Sequence, residues 1–179
     1  IHSADVPELI AGVGTYTLEL LEEHPEIDAM FVPVGGGSGL CGALVAGKGI
    51  NPDMTVYGVQ SAGAPAVHDS WRDRELKKLD QCDTFAEGVA TREAFALPAA
   101  VMWDRVDDIL LVSDSDLKRS ILTLLETTRM LAEGAGAAAL AGLAQRREEM
   151  AGKTVGIVLS GGNLTLDTLQ QIMTDESPW

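Results

Sequence analysis

A chain of 179 residues, 46% of them apolar and 22% charged, is long enough to bury one sizeable core and short for two. Its formal net charge of −14 repels nucleic-acid phosphates and anionic membranes, so neither is an expected partner. No apolar run reaches the ~18 residues of a membrane span, and the start at Ile1 and His2 carries no cationic stretch or apolar leader. A soluble protein is expected. Cys41 and Cys82 offer no disulfide framework and no metal-ligand spacing, which points to a reducing cytoplasm, with Cys41 packed as a small hydrophobe.

Short apolar runs rich in Val, Ile and Tyr alternate with stretches of helical period, the pattern of strands and crossover helices in a parallel sheet. Residues 5–23 read as a helix stopped by His24 and Pro25, and residues 29–34 as a continuous apolar strand. A glycine turn over 35–39, a short helix over 40–48 and a strand over 55–59 follow. The stretch 61–90 shows no dominant period, and its charged part, 71–78, reads as a solvated helix or excursion. Further on come a helix over 93–103, a strand over 107–112, and a helix reaching about residue 133 whose N-cap lies among Ser113, Asp114, Ser115 and Asp116. An Ala-rich helix over 136–149, a buried strand over 154–159, a turn over 160–163 and a helix over 164–173 close the chain. No repeat or linker divides it, so residues 1–179 read as a single α/β domain.

The segment Pro33-Val34-Gly35-Gly36-Gly37-Ser38-Gly39-Leu40 sets small residues between a buried strand and a helix start. Glycine permits positive φ and close approach, and a helix N-terminus adds unpaired N–H groups, so the natural occupant is a phosphate rather than nothing, since a bare turn needs one or two glycines. Gly37-Ser-Gly39-Leu-Cys-Gly42 also fits the dinucleotide pattern, but the residue after the next strand is Gln60 where an acid should hold the ribose, which weakens a nicotinamide oxidoreductase. No Gly-Lys-Ser/Thr follows, so a nucleotide-hydrolysing loop is excluded.

These segments resemble the serine/threonine dehydratase group of fold-type II pyridoxal-phosphate enzymes, in order and at similar separations. The opening from His2 to Thr15, with Val13 in place of the usual glutamine, is similar to the segment before the family's cofactor loop. Pro33 to Leu40 resembles its phosphate cradle, Glu87-Gly88-Val89-Ala90 the segment beside the cofactor ring, Glu133 to Ala137 a helix junction near the substrate, and Ser160 to Asn163 the turn meeting the pyridine nitrogen. The resemblance implies a three-layer parallel-sheet domain, the tryptophan synthase β-like large domain of such an enzyme. It implies pyridoxal 5′-phosphate held by Gly35, Gly36, Gly37, Ser38, Gly39, Leu40, Gly88 and Ser160, and elimination of water and ammonia from serine, threonine or a related amino acid. A serine hydroxyl can bond a neutral pyridine nitrogen, where an acid would hold it protonated; taken alone, Ser160 reads equally as the N-cap of the next helix. Glu133 is the candidate catalytic residue, because a carboxylate at a helix end is disfavoured by the dipole, with a plain surface acid as the alternative.

The departures carry weight too. Relatives of this kind bind a divalent cation through acids where this chain has Gln60 and Ala66, so no metal is expected, Asp69 being a residual candidate. The family's Schiff-base lysine stands in a Ser-x-Lys motif in the preceding half, and Lys48, Lys77, Lys78, Lys118 and Lys153 all read as surface residues. The chain is therefore expected to be the C-terminal part of a homodimeric enzyme, inactive without its N-terminal half and small domain. An amino-acid racemase on the same fold and a non-catalytic phosphate- or nucleotide-binding domain are the alternatives. His24 reads as a helix-end residue and His68 as a surface group.

Overall fold

The computed structural model describes residues 3–179; His2, part of the opening resemblance, lies outside them. The first long helix, α1 (Pro7–Glu23), starts where Pro7 presets φ and donates no N–H, two residues later than the apolar period alone indicates, and is stopped by His24 and Pro25. Next come β1 (Ala29–Pro33), α2 (Ser38–Ile50), β2 (Thr55–Ser61), α3 (Ala66–Asp73), α4 (Ala96–Met102) and β3 (Asp108–Val112). The chain ends with α5 (Asp114–Thr128), α6 (Gly134–Gln145), β4 (Val155–Ile157) and α7 (Leu166–Asp175).

The strands form one parallel sheet in the order β3-β2-β1-β4, with Ala29 opposite both Thr55 and Val155. Alternation along β1 sends Met30 and Val32 to the face covered by α1 and α2, where they pack with Leu40, Leu44 and Met54. Ala29 and Phe31 point to the other face and meet Tyr57, Val59 and the alanines of α6. Two helical layers thus enclose the sheet, the expected three-layer α/β architecture. Among the described residues no helix is long and apolar enough to cross a membrane.

Several boundaries differ from the sequence expectation, each for a local reason. The helix expected to reach residue 133 ends at Thr128, because Arg129 takes φ 65° and reverses the chain; its start is fixed by a capping box between Ser113 and Asp116. The Ala-rich helix begins at Gly134 and stops at Gln145, short of the expected 149. The strand expected over 154–159 spans three residues at the sheet edge, where only Gly156 is buried. The helix expected over 93–103 is shortened to Ala96–Met102 because Glu93 pairs with Lys78 in an isolated antiparallel bridge. The charged stretch 71–78 holds the end of α3, where Arg74 takes φ 56°, and then an irregular excursion.

Helices α1 and α2 cross through glycines: a Cβ on Gly42 would lie 2.7 Å from the Gly14 nitrogen and 2.9 Å from the Ile10 carbonyl oxygen. Backbone cannot yield as a side-chain tip can, so Gly42→Ala is expected to lower unfolding free energy by about 1–3 kcal/mol. Gly49→Ala in the same helix meets nothing within 4 Å, and is expected to raise stability by roughly 0.5 kcal/mol. Chemical denaturation of the two variants checks the pair, and equal effects would contradict the crossing.

Candidate functional site

From β1 the chain moves through α2 to β2 and on to β3, whereas β4 returns to the opposite side of β1. In an open parallel sheet that reversal leaves a crevice outside the carboxyl ends of the two diverging strands. The glycine segment leaves β1 into this crevice and the Ser160 turn leaves β4 into it. Between them lies a groove of about 550 Å³ whose walls include Thr15, Tyr16, Pro33, Ser38, Gly39 and Ser160.

On one side of the groove, Gly37 adopts φ 99° as the N-cap of α2, a conformation that L side chains rarely take. The helix therefore begins at Ser38, earlier than expected, and places Ser38, Gly39 and Leu40 in its first turn. No side chain caps this end, and the first helical bond runs from the Cys41 N–H to the Gly37 carbonyl. The N–H groups of Ser38, Gly39 and Leu40 are thus the donors an α-helix leaves without internal partners, at the positive end of its dipole.

The glycine segment is backed by the Glu87–Val89 turn, since a Cβ on Gly35 would fall 2.5 Å from the Gly88 carbonyl oxygen. Gly88 in turn lies against α6, where its own Cβ would be 2.7 Å from that of Ala135 and 3.7 Å from Glu133 Oε1. The Glu133 N–H donates to the Gly161 carbonyl at 3.1 Å, and Glu133 Oε2 accepts from the Asn163 N–H at 3.1 Å. Gly35, Gly88, Glu133 and the Ser160 turn, far apart in sequence, are in this way stitched into one contiguous wall. A second recess of about 240 Å³ opens beyond it, lined by Glu87, Glu133, Asn163, Thr165 and Thr168 among others.

Two sequence readings are corrected here. Glu133 does not end a helix: it is the extended N-cap of α6, where the dipole favours a carboxylate, so a conflict with helix electrostatics gives no argument for function. Ser160 does not cap the following helix, because Thr165 does so by accepting the Thr168 N–H at 3.1 Å; Ser160 stands exposed on the groove.

Gln60 is fully buried, and its Oε1 accepts the His68 N–H at 2.9 Å, clipping the end of β2 to α3. His68 is partly buried rather than free on the surface; its Nδ1 lies 2.9 Å from Asp69 Oδ1, which also faces Arg72 at 3.4 Å. Lys48 lies inside α2 and pairs with Asp107 at 2.8 Å, and among the described residues no lysine lines either recess. Cys41 is buried, with its thiol against the Pro98 carbonyl, and desolvation pushes its pKa up to about 12, as suits a packing residue. The sequence reading did not single out Tyr16, which lies within the helix read over 5–23; its hydroxyl donates to the Gly39 carbonyl at 3.0 Å.

Residues 1–161 match the family of pyridoxal-phosphate dependent enzymes. An L-threonine ammonia-lyase of Geobacter sulfurreducens is 36% identical over 174 residues, covering 97% of this chain and 43% of that protein. The processed form of threonine deaminase isoform 2 from Solanum lycopersicum superimposes with a TM-score of 0.90 at 30% identity, over 95% of this chain and 47% of that one. Maize serine racemase does so with a TM-score of 0.84 at 32% identity, over 93% and 52%. The chain spans about half the length of the curated relatives it matches.

If Glu133 holds the Ser160 turn as the geometry indicates, Glu133→Ala is expected to speed amide hydrogen exchange at Asn163 roughly tenfold, by loss of a charge-assisted hydrogen bond. Glu133→Gln keeps an acceptor and is expected to change exchange far less. Exchange followed by NMR decides, and no acceleration in the alanine variant would remove the contact.

Proposed function

The chain belongs to the pyridoxal-phosphate dependent enzyme family, and we propose that in its complete protein it catalyses elimination of water and ammonia from threonine, serine or a related hydroxy-amino acid. The observation that carries this reading is the placement of an anion cradle and an exposed serine hydroxyl on one groove at the reversal of the sheet. The residues present fit the cofactor. Gly35, Gly36, Gly37, Ser38, Gly39 and Leu40 would hold its phosphate through backbone N–H groups, and a side chain at Gly35 would collide with Gly88. Gly88 would pass beside the ring, and the Ser160 hydroxyl would donate to the pyridine nitrogen without protonating it. When bound, the cofactor supplies an electron sink for the charge left on the substrate's Cα.

Glu133 is the candidate acid-base residue. Its Oε2 is engaged by Asn163, and its Oε1 faces the backbone of Gly88 and Gly161, beside the ring segment. With no lysine on the groove, covalent capture of the cofactor and removal of the Cα proton require residues beyond these 179, and the chain by itself is expected to be inactive. We take residues 1–179 to form one α/β domain of the enzyme, acting as a cytoplasmic homodimer. The likeness to maize serine racemase supports a second reading, racemisation, which also begins with removal of the Cα proton.

The complete protein mixed with pyridoxal 5′-phosphate is expected to develop visible absorbance that changes on addition of threonine or serine, with release of ammonia and a 2-oxo acid. Conversion of L-serine to D-serine without ammonia would replace the lyase by the racemase. Ser160→Asp, which would protonate the ring, is expected to lower elimination at least roughly tenfold with the cofactor still bound. Absence of cofactor absorbance in the wild type would overturn both readings.

A further inference from the structure

We infer that Tyr16 is a positioning residue for the phosphate end of the site, holding the first turn of α2 at the angle from which its N–H groups meet the anion. The inference rests on the cofactor-site reading above and adds a residue outside the glycine loop. Tyr16 stands on α1, and its hydroxyl donates to the Gly39 carbonyl at 3.0 Å across 23 residues of sequence. Among the described residues this is the one side-chain hydrogen bond made to residues 35–40.

The remainder of the contact explains why such a bond matters. At the Gly14–Gly42 crossing the helices meet backbone to backbone. Leu40, Cys41 and Leu44 seat one side of α2 in the core beneath the sheet, and the Tyr16 hydroxyl reaches its first turn from α1. The Tyr16 hydroxyl supplies direction, because a carbonyl accepts only within a limited range of angles. Its oxygen also covers the bare side of Gly39, 3.9 Å from where a Cβ would lie. Desolvation pushes the hydroxyl's pKa up to about 12, so it remains a donor through neutral pH. Ser38 and Ser160 line the same groove as Tyr16, so a turn of α2 would shift the cradle relative to the Ser160 hydroxyl.

The test is Tyr16→Phe in the complete protein, which removes one oxygen and keeps the ring. The dissociation constant for pyridoxal 5′-phosphate is expected to rise roughly three- to tenfold, the range one neutral hydrogen bond supports. Inorganic phosphate, titrated into the cofactor-free protein, is expected to weaken by a similar factor. A lowered unfolding midpoint of the cofactor-free protein with both affinities unchanged would show a purely structural contact and overturn the inference. A wild-type protein that takes up phosphate but not pyridoxal 5′-phosphate would refute the cofactor reading alone, and the phosphate arm would still decide Tyr16. Binding of neither ligand by the wild type would overturn both.

Discussion

The constraint on which the site depends is that β1 has as neighbours one strand that follows it directly and one, β4, that arrives only after β2 and β3 have been laid down. Parallel strands that leave in opposite directions cannot both be covered by their crossover helices at the carboxyl end, so a crevice opens there whatever the side chains are. The glycine segment, Tyr16 and Ser160 are arranged around that opening. The glycine segment is the first stretch after β1 and the Ser160 turn the first after β4, so both inherit their positions from hydrogen-bonded strands rather than from the loops themselves. Glu133 then ties the Ser160 turn to the start of α6, its N–H donating to the Gly161 carbonyl and its carboxylate accepting from the Asn163 N–H.

Much of this was legible in the sequence because the relevant signals are local and strong. An apolar run such as Ala29 to Val34 has one low-energy fate, a buried strand, and the glycines after it have few uses besides a close backbone approach. The capping residues before α5 were likewise readable, since Ser113 and Asp116 satisfy each other's backbone within one turn. What the sequence hid was set by tertiary geometry. The stop at Arg129 carries no Gly or Pro, so nothing local announced it, and the misplaced helix end turned Glu133 from an N-cap into an apparent anomaly. The edge position of β4 could not be read either, because an apolar run looks the same whether one or both of its flanks are paired.

Tyr16 illustrates a harder class. Its spacing fits the apolar stripe of α1, and nothing in its neighbourhood marks the hydroxyl as engaged. Only the crossing of α1 over α2 brings it to Gly39, and that crossing in turn exists because Gly14 and Gly42 both lack side chains. A pattern-based reading sees two unremarkable glycines and an aromatic residue; the geometry makes them one device.

The electrostatics of the chain sharpen the argument for a backbone cradle. A chain of net charge −14 repels a phosphate at long range, and among the described residues neither recess carries a lysine or arginine to offset that repulsion. On the proposed reading, selectivity for an anion comes from short-range, directional donors, the unpaired N–H groups of one helical turn, whose field falls away within that turn. Such donors work only if they are held still, because a dipole loses its advantage over water as soon as it must reorganise. The close glycine contacts behind the loop and the hydroxyl beside it are the means of holding them. On this view the rigidity of the wall from Gly35 through Gly88 to Glu133 and Gly161 takes the place that a basic side chain would fill in a less acidic protein.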